Sequence, residues 1–506
     1  MEERFIFDRS SLPEPVYNGD SDFIRLYYAC WEIAFKNIEY PDKKNWLPYL
    51  TCMPGSGKIW QWDSCFMTFF LRYSNKTLPA TNNLDNLYRL QKKDGYISMA
   101  YRVETEKPAY GERINPPLYA WAEWEYYLVT GDFTRFERIF PALKNYYLWI
   151  KKNRTRKSGL YWFEDTGSSG MDNSPRSGYA AQYLNGSDVC WIDLSSQQTL
   201  SAYYLAKIAG LLNKKDDEEF FLSEFENLGL LINKYHWCEK HQFYYDVFSR
   251  SQPFLRHNFL NAKTVASFWP IISHITNDNQ ANSLLKHLLD EDEFCTLHPV
   301  PSLARSDPNY NSFGSYWLGG VWAPTNYMIV TGLKQHGQTF IARKIAISHI
   351  EAMCKVFNDR EYCGIWEAYS PEFFMPATVE TGKLVRNRFV GWSALGPIAM
   401  LIENILGFTF DASLNTVYWH ISEECEHGIK NLRFNDRFVS FVCYRADDSG
   451  QRRIEVETSG DINIFVSAEG SDISLKKKLS KGHQILHILY FPTTKSVCGL
   501  NFDTGR

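Results

Sequence analysis

Apolar residues recur at the spacing of an α-helix through most of the chain, as far as about residue 408, and this bounds the fold before anything else. The periodicity predicts helices over 21–37, 62–73, 82–92, 116–130, 133–151, 193–212, 216–235, 262–274, 278–290, 320–334, 337–356 and 389–406. Asp132 and Asp193 are read as N-caps, and Gly332 and Gly407 as helix ends. Short links such as 130–132 and 335–336 alternate with long polar loops, roughly 38–61, 93–115, 152–192, 291–319 and 357–388. About twelve helices joined in this way suit a toroid of six helical hairpins, with alternating inner and outer helices. All the long loops then gather at one end, and loops of that length inside a compact domain are usually functional.

After Gly407 the texture changes to short alternating runs, 416–419, 438–442, 454–458, 462–466 and 487–491, which read as strands. Lys476-Lys477-Lys478 reads as a solvated turn between them. The expected architecture is therefore mainly α: an (α/α)6 barrel over 1–408 and a small β-sandwich-like domain without chemistry of its own over 409–506.

Composition narrows the function. Of 506 residues 16% are aromatic, with 16 Trp, 31 Tyr and 34 Phe, enough to supply stacking faces for sugar rings besides a large core. A formal net charge of -4 and the lack of a basic run argue against nucleic acid as a partner. The most apolar stretch, 392–408, is interrupted by Glu403 and falls short of a membrane span. Eleven scattered cysteines point to reduced thiols in the core rather than to a disulfide framework. With no apolar leader after Met1-Glu2-Glu3-Arg4-Phe5, cytoplasm is the expected compartment, or periplasm if a leader has been removed. Asn75-Lys76-Thr77, Asn153-Arg154-Thr155 and Asn185-Gly186-Ser187 match the glycosylation triplet and carry little weight without one.

Two loops hold candidate chemistry. Asp172 sits in Gly167-Ser168-Ser169-Gly170-Met171-Asp172-Asn173-Ser174-Pro175, a turn-rich segment able to hold a carboxyl at a cavity wall. Glu367 sits in Gly364-Ile365-Trp366-Glu367-Ala368-Tyr369-Ser370-Pro371, where aromatic flanks would raise its pKa on burial. Two carboxyls on one rim are what glycoside hydrolysis requires: one protonates the leaving oxygen and one activates water. Pro54-Gly55-Ser56-Gly57-Lys58 is not a phosphate loop, because Cys52 and Ile59 stand where the pattern needs Gly and Ser or Thr. It reads as a loop leading into the Trp62 helix. His236, Cys238 and His241 lack a second ligand cluster, so neither a metal nor a cofactor is expected.

Seven segments, in order over roughly 60–393, resemble the glycoside hydrolases of the trehalase and processing-glucosidase type, families 37 and 63, including mannosylglycerate hydrolase-like members. They are Trp60-Gln61-Trp62-Asp63, Asn115–Ala122, Ser169–Pro175, Asp193-Leu194-Ser195, Tyr316–Tyr327, Trp366–Pro371 and Phe389–Ser393. The resemblance implies inverting hydrolysis of an α-linked glucoside or mannoside at a chain end, with Asp172 as general acid and Glu367 as general base. It implies that Trp62 and Asp63 line the terminal-sugar pocket. Trp121, Arg176, Trp317, Trp322, Trp366 and Trp392 are read as further substrate contacts. Two departures stand out. Leu318 occupies a position where the family often has Arg, and Glu372 follows Pro371 where the family continues Leu-Thr-Gly; Glu372 is a fallback base. An α-L-rhamnosidase-like hydrolase on the same fold, or an inactive glycan-binding protein, are the alternatives; a phosphorylase would need a phosphate cradle that the sequence lacks.

Overall fold

The computed structural model describes residues 4–176, 188–249, 259–469 and 474–489. The triplet 185–187 and the end of the strand expected over 487–491 lie outside them. Helices run α1 (Ser21–Lys36), α2 (Gln61–Leu71), α3 (Asn82–Arg89), α4 (Tyr119–Thr130), α5 (Phe133–Arg154), α6 (Ile192–Leu211) and α7 (Lys215–Tyr235). They continue with α8 (Trp269–Ile272), α9 (Asp278–Leu288), α10 (Ala323–Gln335), α11 (Thr339–Asn358) and α12 (Gly396–Ile405), the last wound as a π-helix.

These helices fall into two groups by burial. Every residue of α2 is buried, and α6, α10 and α12 are nearly so. A helix apolar on all sides must be surrounded, whereas α1, α3 and α9 bury one stripe each. The enclosed set forms a closed circuit: α2 packs on α4, α4 on α6, α6 on α8, α8 on α10, and α10 on the segment 392–405, which returns to α2. Short links fold the next helix back on its neighbour, α7 along α6 and α11 along α10.

Several local expectations need correction. The helix expected over 262–274 divides into a 3-10 turn, Val265–Phe268, and the single α turn of α8, which opens at Trp269-Pro270. The one expected over 389–406 starts as a 3-10 turn at Trp392. Asp132 caps α5 through the Arg135 amide, but Asp193 lies inside α6, where Trp191 is the N-cap. Gly332 does not end a helix; it lies inside α10 where α8 crosses, and a Cβ there would stand 2.8 Å from Ile271 Cγ2. Gly407 follows α12 at φ 81°, with the His420 carbonyl closing the space a side chain would need.

Two sheets follow. A four-stranded sheet orders Phe408–Asp411, Thr416–Ile421, Ile462–Ala468 and Ser474–Leu479, with its middle pair parallel. A five-stranded antiparallel sheet orders Glu14–Tyr17, His427–Phe434, Arg437–Ala446, Gln451–Thr458 and Gly482–Leu489. Phe408 of the first sheet meets Phe441 of the second at 5.5 Å between ring centroids. The N-terminal strand of the five was not anticipated. Lys476, Lys477 and Lys478 lie on the edge strand Ser474–Leu479 rather than in a turn, and exposed lysines there discourage edge-to-edge pairing.

Gly332→Ala gains helix propensity of about 1 kcal/mol, yet forces α10 off α8, an overpacking cost of about 1–3 kcal/mol. We expect a lower Tm in a thermal melt; a raised Tm would mean that the two helices do not approach this closely.

Candidate active site

One end of the helical circuit holds a cavity of about 270 Å³. Its floor begins with α2. Pairing of Lys58–Trp60 with Ala100–Arg102 delivers the chain to the N-terminus of α2, so Trp62 and Asp63 occupy the first turn and line the cavity. The ring of Trp62 is fixed from three sides: Phe66 at 5.4 Å, Trp392 at 5.6 Å and Trp317 at 6.3 Å between centroids. Gly170, at φ 80°, packs its Cα against that ring so closely that a Cβ would fall 2.3 Å from Trp62 Cζ2. Asp63 is buried; the Cys52 thiol donates to its Oδ1 at 3.1 Å. Burial pushes its carboxyl up to about 7, against the pull of Cys52, and the Glu367 charge adds to the rise.

Asp172 faces the same cavity from the Gly/Ser-rich turn. Thr166 Oγ1 donates to its carbonyl at 2.5 Å, and the next residue anchors the turn to a second loop. Asn173 Nδ2 donates to the Ser315 carbonyl at 2.9 Å, while Asn173 Oδ1 accepts from the Trp317 amide at 2.8 Å. Solvent in the cavity reaches the Asp172 side chain, yet the surrounding walls, chiefly, and the Glu367 charge push its carboxyl up to about 6.

Glu367 is supplied by the loop 359–391 after α11, which doubles back so that the Glu367 amide donates to the Arg386 carbonyl at 2.9 Å. The carboxylate is buried at 2% side-chain exposure and accepts from Tyr316 Oη at 3.1 Å and from Arg386 Nη1 at 2.8 and 3.0 Å. Burial raises its pKa; Arg386 first, and then Tyr316, oppose the rise. Arg386 itself stands at the rim with a side chain 55% exposed, so solvent screens its charge. Trp392 Nε1 donates to the Glu367 carbonyl at 3.1 Å, tying the backbone of this carboxylate to the Trp wall. Asp172, Glu367, Trp62, Asp63 and Trp392 thus line one cavity.

The other expected contacts stand elsewhere. Trp317 and Trp322 are stacked at 4.2 Å and buried behind the cavity wall. Trp366 is buried and donates Nε1 to the Tyr362 carbonyl at 2.6 Å. Trp121 packs on Phe69 and Tyr327 in the core. Arg176 is wholly buried between Asp193 and Asp246, with Nη2 at 2.8 Å from both carboxylates. That network explains why Asp193 is not a cap, and its guanidinium is committed to structure rather than to the cavity. Glu372 is bound by Arg305, Nη2 to Oε2 at 2.6 Å, outside the cavity, and Leu318 is half-buried away from its lining.

Sequence reasoning missed Arg386, which belongs to no recognised segment, and gave no role to Tyr316, although its segment was noticed. It also passed over the mouth, where Lys58 Nζ donates to Tyr110 Oη at 2.8 Å and Trp60 meets Tyr110 at 5.3 Å.

Comparison with known proteins gives this arrangement a class. The chain is 30% identical over 455 residues to an uncharacterized protein of Borreliella burgdorferi, covering 87% of this chain and 92% of that one. It is 28% identical over 293 residues to a probable mannosyl-oligosaccharide glucosidase of Schizosaccharomyces pombe, covering 55% of this chain and a third, 33%, of that protein. The fold is shared with the family 63 mannosylglycerate hydrolase of Thermus thermophilus solved with glucose. That structure superposes with a TM-score of 0.60 at 18% identity, covering 74% of this chain and 100% of the other. The protein is a glycoside hydrolase. Residues 57–373 match the model of the mannosylglycerate hydrolase MGH1-like glycoside hydrolase domain, and the chain belongs to that family.

The charge of Arg386 holds Asp172 and Glu367 down, and Asp63 with them, so its removal in Arg386→Met disfavours these anions and raises their titrations. The kcat/KM–pH profile on a cleaved aryl glycoside should move bodily to higher pH; a profile that stays in place would mean that solvent has already cancelled the Arg386 charge.

Proposed function

We propose that the helices form an (α/α)6 toroid, with the two sheets as an appended β-domain, and that the cavity at its end is the active site of an inverting, exo-acting α-glycosidase. The closed circuit of enclosed helices supports the toroid. The observation that carries the functional reading is the pair of unequal carboxyls on one cavity. Asp172, pushed up to about 6 and reachable by solvent, is suited to hold a proton and give it to the departing glycosidic oxygen. Glu367, held by a guanidinium and a phenol, is suited to stay ionised and take a proton from water attacking the anomeric carbon on the opposite face.

Trp62 and Asp63 then hold the terminal sugar, the indole against its apolar face and the carboxyl on its hydroxyls. The relatives are named for a mannosyl-oligosaccharide glucosidase and for mannosylglycerate hydrolysis, which supports an α-glucoside or α-mannoside of a small saccharide or glycoside as the substrate. At the leaving-group side, Trp60, Tyr110 and Lys58 form the mouth.

The two roles separate by leaving group. Asp172→Asn is expected to be nearly inactive on natural glycosides and to recover substantially on a glycosyl fluoride or dinitrophenyl glycoside, which depart with little protonation. Glu367→Gln is expected to lose about 10²–10⁴-fold in kcat on both kinds of substrate. Recovery of Glu367→Gln alone would exchange the roles, and slight effects from both would remove the two residues from the chemistry.

A further inference from the structure

A second cavity of about 240 Å³ lies in the seam between the helices and the four-stranded sheet, remote from the first in its lining residues. One wall is the sheet face opposite the sandwich core. Tyr418 and Phe465 are cross-strand partners in the parallel pair, with ring centroids 5.9 Å apart, and both are half-buried. Two residues further on, by the alternation of a strand, His420 and Ser467 present the same face. Their side chains bond each other at 3.0 Å, and His420 Nε2 meets Glu469 Oε2 at 2.8 Å, which fixes the imidazole against the cavity.

The opposite wall is helical. Lys334 of α10 reaches across to the Glu403 carbonyl at 2.9 Å and to Thr409 Oγ1 at 3.3 Å. Beside it stands Asn404 near the end of α12. It is only 6% exposed and lines the cavity, yet its Oδ1 is buried with no hydrogen-bond partner among the described residues. An amide oxygen left in that condition costs about 1–3 kcal/mol unless a ligand or water donates to it. The aromatic pair and the orphaned amide are independent observations on facing walls.

We propose that this seam binds one pyranose-sized saccharide unit, separately from the catalytic cavity. Tyr418 and Phe465 stand together on one wall, inclined at 51°, and offer an apolar surface on one side only, which suits the apolar face of a sugar ring whose other side meets polar groups. Of the charged groups around the lining, Glu403 is paired with Arg72, Arg343 with Glu423 and Glu469 with His420, so Asn404 Oδ1 is the acceptor and Lys334, between the Glu403 carbonyl and Thr409, the donor nearest a ligand. Hydroxyl groups both donate and accept and so match such a lining, while the interspersed signs favour neither an anion nor a cation. The volume lies below the roughly 300–1,000 Å³ of pockets that hold drug-sized ligands, which limits the occupant to a single sugar ring.

The test uses the full chain carrying Asp63→Ala, which impairs the catalytic cavity, titrated with D-glucose, D-mannose and adenosine by saturation-transfer NMR. One of the hexoses should still bind saturably, and adding either Asn404→Leu or Tyr418→Ala should weaken that residual binding about tenfold, the equivalent of one lost hydrogen bond or stacking contact. Asn404→Leu alone should hydrolyse an aryl glycoside at the unaltered rate. Absence of hexose binding in the Asp63→Ala chain, undiminished binding in both seam variants, or preferential binding of adenosine would each overturn the assignment.

Discussion

The geometry of the cavity that brings Asp172 and Glu367 together depends on one side-chain amide. Asp172 lies on a turn without regular secondary structure, and Glu367 on a loop over thirty residues long; neither position is held by a helix or strand. Asn173 bridges them. By donating to Ser315 and accepting from the Trp317 amide it fastens the Asp172 turn to the segment carrying Tyr316, and Tyr316 in turn donates to Glu367. Ser315 and Tyr316 adopt left-handed backbone, φ 35° and 63°, a conformation that persists only where its surroundings impose it. The two amide bonds of Asn173 are part of that imposition. Lengthening this chain of contacts at any link alters the gap between the carboxyls, and it is the gap that decides whether a water fits between a base and the anomeric carbon.

Electrostatics in the cavity follow from crowding three carboxyls, Asp63, Asp172 and Glu367, around one space. Burial is the largest influence on each of them, and mutual repulsion adds to it for Asp63 and Asp172. The single guanidinium of Arg386 is too exposed to neutralise three acids, so the cavity retains protons near neutrality. Two carboxyl groups in one cavity can then differ in protonation, distinguished by their partners. The Trp wall serves the same end. Trp317 and Trp322 touch no cavity solvent, but their stacked rings back Trp62 and Trp392, which do line it.

The helices were legible because a helix that must bury a stripe or its whole circumference writes that demand at a fixed period, and α1 through α11 fall close to the expected bounds, α8 excepted. Gly332 was misread because a glycine at a close helix crossing and a glycine at a helix end look alike without the partner helix. Arg176 stands four residues from Asp172, and only the fold reveals that Asp193 and Asp246 have already claimed it. Arg386 was invisible for the converse reason: it is nineteen positions from Glu367 along an irregular loop, and no periodicity links them. The strand Glu14–Tyr17 pairs with a segment more than four hundred residues away, a contact that four residues cannot announce. Local pattern reports what a segment must bury, and the site is made of contacts between segments that bury for different reasons.

In the proposed reaction, water activated by Glu367 attacks opposite the bond that Asp172 protonates. The anomeric configuration of the first-formed sugar reports this directly. Proton NMR of an aryl α-glucoside or α-mannoside hydrolysis, followed from the first seconds before mutarotation, should show the β-anomer appearing ahead of the α-anomer. Initial release of the α-anomer would mean that the configuration is retained, that a covalent intermediate forms, and that the assignment of Glu367 as a base acting on water is wrong.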